Sequence, residues 1–170
     1  MKRGWLLTAV AGLMFGLWAP LLRAADPPEV RLNAEHTAGR PLEALTQKAV
    51  VRDYASAWRT LAEALNDNNP WVLDRDFVGV AEQKLRQLVA SQAKAGLRTR
   101  YVDHGHQLEV LFYSPEGSSI EVRDTAHLEI QVLDGDKLVH SEPATLHYIS
   151  LLTPTEVRWK VRLLQAIPGE

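Results

Sequence analysis

The chain has 170 residues, of which 46% are hydrophobic and 24% are charged, and its formal net charge at pH 7 is −2. It contains no cysteine, which excludes disulfides, thiolate metal sites and cysteine nucleophiles. Without residues 1–24, which hold three of the 19 basic residues and no acidic one, 16 basic residues face 21 acidic ones, and this charge of −5 argues against nucleic acid or an anionic membrane surface as a partner.

The first predicted element is a hydrophobic leader. Lys2 and Arg3 precede an uncharged run over residues 4–22, which Arg23 and Ala24 then end. This order of basic, apolar and small residues is typical of a secretory signal cleaved after Ala24. The alternative is an uncleaved membrane anchor, because a bilayer is crossed by about 20 apolar residues. Both interpretations predict an exported protein, either periplasmic or secreted.

Residues 25–41 are predicted to form a flexible linker. They contain Pro27, Pro28, Gly39 and Pro41 with scattered charges and no hydrophobic period. We expect this segment to pack on nothing and to separate the leader, residues 1–24, from a single domain over residues 42–170.

Two amphipathic helices follow, predicted over residues 42–66 and from about residue 76 to residue 95. Asn69 and Pro70 fit the start of a helix, and Gly96 fits the left-handed residue that ends one. Because both helices are half apolar, each is expected to cover another surface. The predicted core face of the first helix consists of Val50, Tyr54, Ala57, Trp58, Leu61 and Leu65.

From Leu97 the hydrophobic period changes to two, which predicts four antiparallel strands. Turns are indicated at residues 114–117, 134–136 and 153–155, where proline, glycine and aspartate cluster. The predicted fold class is therefore α+β, with two amphipathic helices packed on a curved four-stranded antiparallel sheet and preceded by a signal peptide or leader helix.

This order of elements resembles the nuclear-transport-factor-2-like, or cystatin-like, α+β roll. The resemblance covers about residues 50–167, from VVRDYASAWRTLAEAL through EVRWKVRLLQAI. It depends on Tyr54 and Trp58 in the first helix and on the R-W-K-V run of the last strand. The superfamily includes isomerases, dehydratases and hydrolases as well as proteins that only bind or scaffold, so the resemblance implies a fold and no particular catalytic residue.

Asp124 is the chemically unusual position of the predicted sheet, because it lies in phase with apolar neighbours and a desolvated carboxylate suits a general acid or base. A two-residue turn at residues 135–136 would place His147 opposite Asp124, which makes these two the predicted catalytic residues. A bulge at Pro143 would instead turn His147 to the other face. The alternative is a structural carboxylate near a strand end, beside solvent or Arg123. The apolar residues in phase with Asp124 are Ile120, Val122, Ala126, Leu128, Ile130 and Val132.

Tyr54 and Trp58 lie one turn apart on the core face of the first helix. They either pack in the core or line a small apolar ligand cavity between the helix and the sheet. Together with Asp124, His147 and Trp159 they form the predicted ligand-binding set. We also expect Trp58 and Trp159 to be buried, since each lies on the apolar face of its element.

Two further clusters carry charge. The first is Asp103-His104-Gly105-His106, where a metal interpretation lacks a third ligand at a known spacing, so no metal and no cofactor are predicted. Gly105 indicates a bend or bulge with both histidines at the surface. The second cluster alternates along the last strand as Arg158, Lys160 and Arg162, which is ordinary outward polarity or a mildly basic contact patch.

Two functions remain open at this stage. The leading hypothesis is an exported, non-catalytic binding or interaction domain whose partner is a small apolar molecule, a protein or a second copy bound through the sheet, with membrane contact only through an uncleaved leader. The alternative is a small cofactor-free isomerase, dehydratase or hydrolase that uses Asp124 and His147, with Tyr54 as a donor. A cavity plugged by Tyr54, Trp58 and Trp159 would favour the binding domain, and an open pocket would favour the enzyme.

Overall fold

The computed structural model describes residues 28–169. The predicted leader, its cleavage site and the first residues of the predicted linker lie outside this range. Within it, no helix is both long enough and apolar enough to cross a membrane.

The helical elements occupy the first half of the described chain. Helix α1 runs over Ala44–Asn66, a 3-10 helix over Pro70–Arg75, and helix α2 over Gly79–Lys94. The side chain of Asn69 accepts a hydrogen bond from the backbone N–H of Trp71, which caps the 3-10 helix as its sequence predicts. Gly96 follows α2 with a φ of 75°, a left-handed conformation that favours glycine.

The strands between residues 28 and 169 are β1 Val30–Asn33, β2 Ala38–Gly39, β3 Leu97–Tyr113, β4 Ile120–Asp134, β5 Lys137–Pro154 and β6 Trp159–Ile167. These six strands form one mixed sheet in the order β1-β3-β4-β5-β6, with β2 beside β3. Strands β3 to β6 pair antiparallel, whereas the short β1 and β2 run parallel to β3. The predicted α+β class is confirmed, and the sheet contains two short strands, β1 and β2, beyond the four that the sequence predicted.

Strand β1 corrects the expectation that residues before Pro41 pack on nothing. Val30 and Leu32 are partly buried and pack against the core, while Leu32 pairs with Leu108 of β3. The carbonyl oxygen of Glu29 also accepts a hydrogen bond of 2.8 Å from the backbone N–H of His106. A strand of only four residues is too short to show a clear hydrophobic period, which explains why composition indicated a linker.

The core lies between the helices and the inner face of the sheet. All six residues of the predicted α1 face are buried, and β4 contributes alternate buried residues from Ile120 to Leu128. Bulges interrupt the pairing of β4 with both neighbours, since His104 of β3 and Val139 of β5 have no partner in the ladder. Each extra residue bends its strand and changes which side chains meet across the sheet.

Candidate functional site

Asp124 lies at the centre of the inner sheet face, with no exposed surface. Its Oδ2 atom accepts a hydrogen bond of 2.9 Å from the hydroxyl of Tyr54, a residue of α1. The same oxygen lies 2.8 Å from Nδ1 of His106 on β3. The Tyr54 hydroxyl is also 3.0 Å from Oγ of Ser150 on β5, so side chains from four elements meet at one buried polar cluster.

Asp103 joins this cluster from the rim of the sheet. Its Oδ2 atom lies 3.0 Å from Nε2 of His106, and its Oδ1 atom accepts the backbone N–H of Gly105 at 2.8 Å. The bulge at His104 makes this contact possible, because it places Asp103 and His106 on the same inner face although they are three positions apart, an odd spacing that puts residues of a regular strand on opposite faces. The Asp103 side chain is 20% exposed, whereas that of His106 is fully enclosed.

The two carboxylates control the charge of His106. Burial alone would lower the pKa of its imidazole, but hydrogen bonds to Asp103 and Asp124, together with their negative charge, raise that pKa to about 9. His106 is therefore protonated at neutral pH and donates from both ring nitrogens. Burial, followed by the charge of Asp124, raises the pKa of Tyr54 well above its usual value, so this phenol stays neutral and donates to Asp124.

Aromatic rings close the interior around this cluster. The ring centroid of Trp58 is 4.4 Å from that of His106 and 5.4 Å from that of Tyr148. Tyr54 meets His106 edge-on at 5.9 Å. A ligand therefore reaches the Asp124 side chain only if these rings move. The remaining carboxylate oxygen of Asp124, Oδ1, is buried without a hydrogen-bond partner among the described residues.

The predicted pairing of Asp124 with His147 is wrong. The hairpin does turn over Gly135 and the next residue, but the bulge at Val139 then shifts β5 by one position. Tyr148 consequently lies opposite Asp124, and His147 lies opposite Thr125 on the outer face, where its Nδ1 is 3.2 Å from the Thr125 hydroxyl. The alternative considered from the sequence was a register shift at Pro143 that turns His147 to the other face; the structure has such a shift four residues earlier, at Val139.

The position of His106 differs from the sequence expectation, which named it in a possible metal cluster but placed it at the surface. The bulge predicted at Gly105 is present, but it leaves only His104 at the surface and buries His106. A usable signal existed, because His106 lies in phase with the buried Leu108 and Val110. Both ring nitrogens of His106 contact carboxylates, and no group of three or more potential metal ligands occurs in the part of the chain that the structure describes.

An open cleft lies beside the closed interior, between α1 and β3. We call it the aromatic cleft; its volume is about 400 Å³. The rings of Trp58 and Tyr101 are 6.3 Å apart at its wall. Trp159, also predicted to line the site, is instead only half-buried and packs edge-on against Tyr113 at 6.4 Å. The residues that line the aromatic cleft are Pro28, Trp58, Arg59, Ala62, Tyr101, Val102 and Asp103.

The described residues are similar in fold to several solved structures, among them proteins named as NTF2-like or as having a cystatin-like fold. The intermembrane-space region of the chloroplast protein ARC6 matches with a TM-score of 0.63 at 14% identity, over 76% of this chain and 100% of that one. A function-unknown protein from Mycobacterium tuberculosis matches at 0.50 and 11% identity, over 74% and 77% of the two chains. A putative dehydratase of the NTF2-like family from Streptomyces avermitilis matches at 0.48 and 12% identity, over 72% and 97%.

No protein-family model matches the chain, and no curated protein matches it in sequence. At identities this low, structural likeness shows the fold alone, because this fold carries unrelated activities.

Proposed function

We propose that this protein is an exported, non-catalytic binding domain whose ligand occupies the aromatic cleft. The observation that carries the proposal is the contrast between two neighbouring spaces. Around Asp124 the roll is filled by its own side chains, while a volume of about 400 Å³ remains open next to Trp58 and Tyr101. Volumes of this size are typical of small-molecule sites.

The lining of the aromatic cleft favours a ligand with a flat apolar body. Ala62 and Val102 provide aliphatic surface, and Tyr101 provides an aromatic wall whose burial raises the pKa of its hydroxyl. Trp58 is held in place because it packs on His106, so the wall is preformed and loses little side-chain entropy on binding. Arg59 and Asp103 add polar groups at the margin.

Export is the part of the proposal that rests on sequence. Lys2 and Arg3, the apolar run over residues 4–22 and the small residue Ala24 have the order of a secretory signal. The chain also lacks cysteine, so its domain is stabilised by its core without disulfides in an oxidising compartment.

A thermal-shift screen of aromatic and aliphatic small molecules tests the proposal, because a ligand that binds only the folded state raises the melting temperature. The Ala62→Trp variant fills the aromatic cleft and should abolish the shift while leaving the unliganded melting temperature nearly unchanged. Ala93→Trp places the same ring on an exposed position of α2 and is the matched control. Equal shifts in both variants would contradict the cleft as the site.

A second candidate function is a cofactor-free acid–base enzyme that acts through Asp103 and His106. The specific observation in its favour is the continuous chain of contacts from Asp103, at the aromatic cleft, through His106 to Asp124. The Asp103→Asn variant distinguishes the two functions. If the protein is an enzyme that acts through Asp103, this variant should no longer convert a bound ligand. In a binding domain, mass spectrometry should show every ligand of the wild-type protein recovered unchanged.

A further inference from the structure

We propose that the ligand of the aromatic cleft is an organic monoanion, whose apolar body lies against Trp58 and Tyr101 and whose carboxylate binds Arg59. This inference rests on the proposed binding function and adds the chemical class of the ligand. It is carried by a second cleft, which we call the arginine cleft, of about 430 Å³ along the outer side of α1. Arg52, Arg59 and Arg158 all line the arginine cleft.

The two clefts adjoin each other. Arg59 and Pro28 line both of them, so the Arg59 side chain lies at their common boundary. A molecule whose apolar part lies in the aromatic cleft therefore has its polar end next to this guanidinium. A guanidinium suits a carboxylate particularly well, because its planar N–H groups can form two parallel hydrogen bonds.

Arg52 is already neutralised by a buried acid. Its Nε donates to Oδ1 of Asp53 at 2.8 Å and its Nη2 donates to Oδ2 at 3.1 Å. Asp53 is only 4% exposed and also accepts the backbone N–H of Trp159 at 2.8 Å. This carboxylate thus joins α1 to β6 and holds Arg52 at the wall of the arginine cleft.

Arg158 is neutralised in the same way by Asp76. Its Nη1 donates to Oδ1 of Asp76 at 2.9 Å. The other carboxylate oxygen accepts the hydroxyls of Thr60 at 2.6 Å and Ser56 at 3.2 Å, and Asp76 is 1% exposed. The position of Arg158 is therefore fixed by a buried, fully hydrogen-bonded partner.

Arg59 differs from its two neighbours because it forms no ion pair with any residue in the range 28–169. Its Nη2 makes a single long contact of 3.4 Å with the hydroxyl of Ser56, and the side chain is exposed. Within the arginine cleft, three guanidinium groups thus face two buried carboxylates, which leaves one positive charge at Arg59. Asp103 of the aromatic cleft is already hydrogen-bonded to the imidazolium of His106. The single unpaired guanidinium fits a ligand with one negative charge rather than a dianion such as a phosphate monoester.

Isothermal titration calorimetry with naphthylacetate and its neutral analogue naphthylacetamide tests this inference on the purified protein. Both probes present the same aromatic body, and only the first carries a carboxylate. We expect naphthylacetate to bind about tenfold more tightly, since a charge-assisted bidentate pair is a strong interaction. Raising the salt concentration should reduce this difference, because added ions screen an exposed pair.

Arg59→Gln is the diagnostic variant, and Arg100→Gln is its matched control. Both remove one positive charge from an exposed position, but Arg100 lines neither cleft. Arg59→Gln should weaken naphthylacetate binding about tenfold and leave naphthylacetamide binding unchanged, while Arg100→Gln should change neither.

The possible outcomes separate the proposal that the aromatic cleft is the binding site from the inference that its ligand is a monoanion. If both probes bind equally well and Ala62→Trp abolishes both, the aromatic cleft is the site and the inference about a monoanion is wrong. If both arginine variants weaken naphthylacetate equally, the effect comes from overall charge, and Arg59 is not the carboxylate partner. If neither probe binds the wild-type protein, the inference about a monoanion is wrong, and the thermal-shift screen decides the proposed function separately.

Discussion

The Nδ1 atom of His106 lies 2.8 Å from Oδ2 of Asp124, and neither side chain has exposed surface. A buried pair of this kind is strongly unfavourable to break, because the remaining charge would have no partner. Asp103 contacts the opposite ring nitrogen at 3.0 Å, so the imidazolium is enclosed by two carboxylates. Asp124 of β4 also accepts the hydroxyl of Tyr54 from α1, so the contacts among α1, β3 and β4 depend on the proton that His106 holds.

The first prediction concerns pH. The pKa of His106 is raised from 6.5 to about 9 in the folded protein by its two carboxylate partners, against the opposing effect of burial. Its contribution to stability is therefore fully present below pH 6.5 and is lost as the pH rises through about 9. That contribution is on the order of 3 kcal/mol. Urea unfolding between pH 6 and about pH 10 should show the decline.

His106→Gln is the control for this pH dependence. Glutamine keeps a hydrogen-bonding side chain but cannot be protonated, so the free energy of unfolding should be lower and nearly independent of pH across the same range. A decline of equal size in this variant would assign the pH dependence to another group.

The second prediction concerns Asp124→Asn. Asparagine is close in shape to aspartate, so the fold should persist, but the negative charge that helps hold the proton on His106 is removed. The pKa of His106 should fall, and nuclear magnetic resonance titration of its ring protons measures the change. A pKa that stays near 9 would show that Asp103 alone holds the proton.

The third prediction concerns Trp58→Ala. Trp58 is 3% exposed and covers His106, so its removal should cost about 3–5 kcal/mol of unfolding free energy. Trp71→Ala is the matched comparison, because Trp71 is 74% exposed and should cost about 1 kcal/mol or less. Similar losses at both positions in denaturant titrations would contradict the closed interior.

The fourth prediction concerns strand β1. A chain that begins at Pro41 should be less stable by about 2 kcal/mol or more than one that begins at Pro28, because Val30 and Leu32 pack on the core. Melting temperatures of the two chains provide the measurement. Equal values would support the original expectation of a linker that packs on nothing.

The elements with long hydrophobic periods were predictable from the sequence. Tyr54 and Trp58 were assigned correctly because α1 repeats its apolar face over many turns. Asp124 was placed on the inner face of β4 for the same reason, since six alternate residues around it are apolar. Its exposure of 0% agrees with that placement. Regular repetition is thus the feature that made these side-chain directions predictable.

The partners of Asp124 were not predictable, because they depend on bulges. A single extra residue at Val139 exchanged His147 for Tyr148, and another at His104 brought Asp103 beside His106. Gly105 indicated the first irregularity but not that it would turn His106 inward, and the extra residue at Val139 changes neither the composition nor the hydrophobic period strongly enough to be seen. The arginine cleft was missed for a related reason, because Asp53 lies on the polar side of α1 by pattern yet is buried against β6.

Heteronuclear chemical-shift mapping with naphthylacetate locates the ligand without assuming an activity. We expect the resonances of Ala62, Tyr101 and Val102 to shift together with those of the Arg59 side chain, while those of Asp124 and Ser150 stay unchanged. Shifts concentrated at Asp124 and Ser150 would show that the interior opens to admit ligand, which would contradict a closed roll that binds at its side.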